Sequence, residues 1–151
     1  MLLRHELLGS GCKIKVESEF HDVVILQGDI NSMVQVINNL VSNAADAEKP
    51  KGGGTIVIAI DRDDRYLNIR VEDTGIGIPE EVKHRLFKQM ITSKGAQGTG
   101  LGIYISNSII KARFDGKMWV KENPKGGSIF GISIPAGNVK FEEKRKGELE
   151  Q

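Results

Sequence analysis

The spacing of apolar residues along the chain divides it into short strands and three helices. Residues 13–16 and 23–26 alternate as strands separated by a polar turn, and Gly28-Asp29 then breaks the pattern and offers a helix cap. A helical period runs over 30–48 and ends at the Pro50 to Gly54 cluster. Residues 55–60 and 67–71 are β-rich and flank the charged turn 61–65, which predicts a hairpin. Pro79 suits the first turn of a short helix to about Phe87, residues 88–100 have no regular pattern, and another helix is expected over 101–112. Two last strands, 117–121 and 128–134, flank the turn Asn123-Pro124-Lys125-Gly126-Gly127. The order of elements predicts an α+β domain: a two-layer α/β sandwich with a mixed, mostly antiparallel sheet and helices on one face. The domain is expected over residues 1–137. Residues 138–151 mix charges of both signs and read as a solvated or disordered tail.

At about 100° per residue, the 30–48 helix gathers Ile30, Met33, Ile37, Leu40, Val41 and Ala44 on one arc, its core face. Asn39 and Asn43, one turn apart, share a neighbouring stripe with Gln35 and Asp46. An asparagine carbonyl oxygen is a neutral, hard donor that ligates Mg²⁺ while leaving the metal's charge available to phosphates. A plain solvated face would have the same composition.

Composition narrows the choice of partners. The 21 basic and 20 acidic residues leave a net charge of +1, so no long-range field draws the protein to nucleic acid or anionic lipid, and any bound anion must be held locally. Cys12 stands alone, which rules out an internal disulfide, suggests a reducing compartment and leaves the residue a role in strand packing. The aliphatic run 56–60 is too short to cross a bilayer, so neither membrane contact nor nucleic-acid binding is expected, and a cytoplasmic location is.

Two glycine-spaced runs carry the candidate chemistry. In Asp73-Thr74-Gly75-Ile76-Gly77-Ile78-Pro79 the carboxylate ends a strand at the lip of a cleft, where it would accept a hydrogen bond from a purine amine while Ile78 offers an apolar surface. A simple turn would read the same way. Gly98-Thr99-Gly100-Leu101-Gly102 opens a helix, and its unpaired N–H groups suit a polyphosphate. Upstream, Thr92, Ser93 and Lys94 form a short segment read as a lid, with Lys94 a cation for a β or γ phosphate; an ordinary surface loop is the alternative. Neither run follows the order of a Walker loop or a dinucleotide fingerprint.

Taken together, Asn39-Leu40-Val41-Ser42-Asn43-Ala44, the run Asp73 to Pro79, Leu86-Phe87 with Thr92-Ser93-Lys94, and Gly98 to Gly102 resemble the N, G1, F and G2 boxes of the sensor histidine kinase catalytic and ATP-binding domain. That family belongs to the GHKL superfamily and has the Bergerat fold. The resemblance implies ATP as substrate with Mg²⁺, Asn43 as metal ligand, Asn39 as a catalytic neighbour in the phosphate and metal shell, and Asp73 as adenine acceptor. It further implies that Asp46, Ala47, Gly75, Gly77 and Ile78 line the nucleotide. Thr92, Lys94, Gly98, Thr99, Gly100, Leu101 and Gly102 would enclose the phosphates, Lys94 with a catalytic role.

Other branches of the superfamily resemble this chain less at position 39, where an ATPase or serine-kinase module has a glutamate as general base. An amide cannot accept that proton. The resemblance therefore implies transfer of the γ-phosphoryl group to a histidine on a separate dimerisation domain, with a response regulator as an indirect partner. A non-catalytic nucleotide-sensing module is the alternative from a different class. His5-Glu6-Leu7 imitates a phosphoacceptor motif but lacks the basic residue and proline that follow it, and too few residues separate it from Asn43 for a helical hairpin. Asp46 stands where many members have a basic residue, and Met90 and Ile91 stand where aromatics are frequent.

Overall fold

A computed structural model describes residues 3–7, 11–18, 23–26, 28–87 and 101–142. Its elements are β1 (Leu3–Leu7), β2 (Cys12–Ser18), β3 (Val23–Leu26), α1 (Ile30–Glu48), β4 (Thr55–Arg62), β5 (Tyr66–Glu72), α2 (Glu80–Lys83), α3 (Leu101–Phe114), β6 (Lys117–Glu122), β7 (Ser128–Pro135) and β8 (Val139–Glu142). Six strands form one sheet in the order β1-β2-β4-β5-β7-β6, while β3 and β8 form a separate antiparallel pair. Within the large sheet only β2 and β4 run parallel, joined through α1. The sheet is thus mixed and mostly antiparallel, as expected.

Period-2 alternation in β5 puts Leu67, Ile69 and Val71 on one face. They lie in register with Ile134, Ile132 and Phe130 of β7, and on the other side Ile69 and Val71 face Ile60 and Ile58 of β4. Met33, Val36, Leu40, Val41 and Ala44 of α1, with Ile103, Ile110 and Phe114 of α3, complete the same core. Burying each large aliphatic side chain stabilises the fold by about 1.5–3 kcal/mol, so this two-layer contact dominates. The helices lie on one face. On the other, Asn68, Arg70, Lys117, Trp119 and Ser133 share one surface, and three of them are linked: Trp119 Nε1 donates to Ser133 Oγ at 3.0 Å, whose hydroxyl donates to Asn68 Oδ1 at 2.7 Å.

Asp29 caps α1, its Oδ1 accepting from the Asn31 N–H and its Oδ2 from the Ser32 hydroxyl, each at 3.0 Å. Ile30, expected in the core arc, is instead 76% exposed. As the first helical residue it extends beyond the sheet that covers the later turns. Pro79 sits at the cap position of α2 with ψ 144° rather than inside its first turn, and the regular helix ends at Lys83, with turns from 84 to 87.

The strand pairing also differs from simple chain order. β2 and β3 do not pair with each other: β2 joins β1 and β4, and β3 joins β8. Ordered structure therefore passes the expected limit at residue 137, because Val139 to Glu142 forms a strand whose Val139 is buried. His5 lies in the edge strand β1, in register with Ile14.

Two outcomes test this description. Gly131 lies under the Trp119 ring, which a Cβ would overlap, so Gly131→Ala should displace the indole, break its bond to Ser133 and cost about 1–3 kcal/mol, measured as a lower urea midpoint at constant slope. In the β4–β5 turn the N–H groups of Arg65 and Tyr66, both 2.8 Å from Asp63 Oδ1, hold that carboxyl below its ordinary value of 3.8. The stabilisation is then complete above the ordinary value and is lost as pH falls through the lowered one; an NMR titration of the Asp63 carboxyl should show the depressed midpoint.

Candidate functional site

α1 is the spine of the site. Asn39, half-buried on its polar stripe, donates from Nδ2 to Ser106 Oγ of α3 at 3.1 Å. A Cβ on Gly102, in the first turn of α3, would lie 3.9 Å from Asn39 Cγ, so the start of α3 faces the first amide of the stripe. Asn43 follows one turn later and is also half-buried. Asp46 pairs with Lys49, Oδ1 to Nζ 3.1 Å, which gives it a local partner in the last turn.

The far end of α1 meets the first glycine run. Ala47 accepts from the Ile76 N–H at 3.3 Å, and Gly75 has no room for a Cβ because one would overlap the Ala47 carbonyl. Glu48, wholly buried, accepts at Oε1 from both the N–H and the hydroxyl of Thr74, at 2.6 and 2.9 Å. Lys51 donates to the Thr74 carbonyl. Asn39 and Ala47 are eight residues apart, about 12 Å along the helix axis at 1.5 Å per residue. One rigid element therefore touches both the α3 start and the Asp73 turn.

Asp73 is 1% exposed. It extends the β5–β7 ladder, its N–H donating to the Ser128 carbonyl at 2.9 Å. Its Oδ1 accepts from the N–H groups of Gly75 at 3.0 Å and Ser128 at 3.2 Å, while its carbonyl accepts from Asn123 Nδ2 at 2.8 Å. The two bonds to Oδ1 orient the carboxylate through backbone N–H groups. Gly77, with φ +76°, turns the chain away from Asp73, and Ile78 packs against the core. Just beyond, Lys83 lies between Glu80 at 3.0 Å and Glu122 at 3.5 Å. Its hydrogen bond holds the Glu80 carboxyl below the ordinary range, and Glu80 raises the Lys83 ammonium in return.

Thr92, Lys94, Gly98, Thr99 and Gly100 lie outside the described residues, as do Met90 and Ile91. Leu101 is placed as the first residue of α3. Four supports escaped the sequence reading. Asn123, Gly127 and Ser128 hold Asp73 from the β6–β7 turn, whose Asn-x-x-Gly-Gly chemistry marked a turn but not its target. Glu48 carried a clearer signal: it follows Val36, Leu40 and Ala44 at four-residue steps, an acid on a core face.

Among the described residues no three His, Cys, Asp or Glu side chains come together as a metal group. The hard donors here are the amide oxygens of α1, a set that fits a cation brought in by a phosphate ligand rather than one caged by protein.

A family profile described as histidine kinase-, DNA gyrase B-, and HSP90-like ATPase matches residues 28–138, from the approach to α1 to the turn before β8. The chain belongs to this family. Sporulation kinase A of Bacillus subtilis (strain 168) is 38% identical over 114 residues, which are 76% of this chain and 18% of that protein. Sensor histidine kinase RcsC of Escherichia coli (strain K12) is 39% identical over 127 residues, 81% of this chain and 13% of that protein. The chain thus spans less than a fifth of the length of these relatives. Among solved structures, the nucleotide-free catalytic domain of histidine kinase ThkA superposes with a TM-score of 0.68 and 32% identity, covering 82% of this chain and 78% of that one. Within the family this is a histidine kinase ATP-binding catalytic domain with the Bergerat fold. No helix among the described residues is long and apolar enough to cross a membrane.

Gly127 tests how closely this histidine kinase domain is built around Asp73. It has φ +84°, and a Cβ there would overlap the Asp73 carbonyl and lie 2.6 Å from its Oδ1. Gly127→Ala should cost about 2–3 kcal/mol from left-handed strain and overpacking together, read as a loss of thermal stability larger than that of Gly126→Ala, where the space is open.

Proposed function

We propose that this domain binds ATP with Mg²⁺ and transfers the γ-phosphoryl group to a histidine on a separate dimerisation domain, from which a response regulator is phosphorylated. The observation that carries the reading is the single helix α1, which holds Asn39 against α3 and, through Ala47 and Glu48, holds the turn bearing Asp73. An enclosed carboxylate fixed by two N–H bonds is suited to accept from the exocyclic amine of adenine. Gly75, Gly77 and Ile78 shape the base side. Asn39, Asn43, Asp46 and Ala47 supply the helix side, and Thr92, Lys94 and the segment from Gly98 to Gly102 would enclose the phosphates. Asn43 would hold Mg²⁺ together with phosphate oxygens, and the bound ion supplies neutralisation of the triphosphate.

Asn39 favours transfer over hydrolysis. Its amide cannot take a proton from water, so the residues here orient the nucleotide and leave the nucleophile to the acceptor histidine. Cleavage of the bond between Pγ and the β–γ bridging oxygen then yields ADP, and the phosphoryl group forms a P–N bond with the imidazole. Such a domain works on the cytoplasmic side, where ATP is available.

Calorimetry with and without Mg²⁺ tests the binding half of the proposal. Asp73→Asn should weaken ATP and ADP alike by about 1–3 kcal/mol, the cost of a mismatched buried acceptor, and Asn43→Ala should lose chiefly the Mg²⁺-dependent part. Adding a histidine-bearing dimeric acceptor domain should give acid-labile phosphate on that domain. Steady ATP hydrolysis by the chain alone, abolished by Asn43→Ala, would instead mark an ATPase. Tight nucleotide binding with no transfer would favour a sensing module.

A further inference from the structure

Glu48 is the one fully buried carboxylate besides Asp73 among the described residues, and the nucleotide reading gives it no role. Its position is unusual for an acid. It lies on the core face of α1, and no charged side chain pairs with it in any described ion pair. Oε1 takes both hydrogen-bond donors of Thr74, while Oε2 is buried with no hydrogen-bond partner and lies where a Cβ on Gly54 would overlap it. A buried carboxylate oxygen without a partner is costly, and groups kept at such cost mark positions where geometry matters more than stability.

We propose that Glu48 is a positioning residue that sets selectivity for adenine by locking the turn after β5 to the last turn of α1. This rests on the nucleotide-binding reading above. Thr74 directly follows Asp73, so fixing its N–H and hydroxyl fixes the peptide that carries the acceptor carboxylate. The bond from Ile76 to Ala47 and that from Lys51 to the Thr74 carbonyl hold the same turn from either side. Asp73 Oδ1 is already oriented by Gly75 and Ser128 relative to the sheet; Glu48 orients it relative to the helix that carries Asn39 and Asn43. With that bond lost, Asp73 stays in place in the sheet and its distance to the amide stripe is held only by the Ile76–Ala47 and Lys51–Thr74 bonds, so it is less tightly fixed. Adenine and phosphates then compete for alignment. Guanine nucleotides, which gain nothing from an acceptor at that position, lose less.

The test compares ATP and GTP binding, in the presence of Mg²⁺, by the 151-residue chain and three variants, with circular dichroism to establish folding. Glu48→Gln retains an acceptor for Thr74 and should stay within about threefold of the wild type for both nucleotides. Glu48→Met fills the space without an acceptor and should weaken ATP about tenfold and GTP much less, narrowing the preference. Thr74→Val, which loses only the hydroxyl donor, should narrow it in the same direction by about threefold, and it serves if the Met variant does not fold. A folded Glu48→Met or Thr74→Val variant with the wild-type ATP to GTP ratio would overturn the proposal. So would equal losses for both nucleotides that merely follow the unfolded fraction. Failure of the wild type to bind ATP would overturn the nucleotide reading itself, and this proposal with it.

Discussion

Asp73 Oδ1 accepts from two peptide N–H groups, those of Gly75 and Ser128, in a place almost closed to solvent. A carboxylate taken out of water must be compensated by donors, and here they come from two separate segments: its own turn and the strand β7. The arrangement requires β5 and β7 to be in register to their ends and requires glycine at 127 so that backbone can come that close. It also needs Asn123 to hold the Asp73 carbonyl. The order of the site thus derives from the order of the sheet, and the helix layer is fitted to it through Ala47 and Glu48.

Much of this was readable in the chain. The alternation of Leu67, Ile69 and Val71, matched by Phe130, Ile132 and Ile134, defines a buried sheet face by period alone. The Asp29 cap and the 30–48 period gave α1 its bounds, and the order of four boxes pointed to the family to which the profile match assigns the chain. What escaped was partnership. Local alternation says which face of a strand is buried, not which strand lies beside it, so nothing in residues 13–26 showed that β2 would pair with β4 and β3 with β8. The Val139 strand is only four residues long, with flanking charges that made the segment look like tail. Ile30 is exposed although it falls on the apolar arc, because an angular arc ignores where the helix begins relative to the layer beneath it.

The supports of the site were hidden for a related reason. Asn123, Gly127 and Glu48 lie far from Asp73 in sequence, and each resembles a common residue doing a common local task. Turn chemistry explains why Asn and Gly occur between β6 and β7, yet the same residues also serve the carboxylate across the sheet. Ser106 is similar: a serine within a helix reads as a weak helix former, while in the fold its hydroxyl receives the Asn39 amide. The candidate site is therefore distributed over contacts made between elements, and the recognisable boxes are only their visible half.

The small β3–β8 sheet has a kinetic meaning. Its strands are far apart in the chain, so pairing them closes a loop that contains β4, β5, β6 and β7 of the six-stranded sheet. Such long-range closure is entropically unfavourable until the intervening chain is compact. The ribbon therefore depends on the larger sheet being compact and does not itself bring that sheet together.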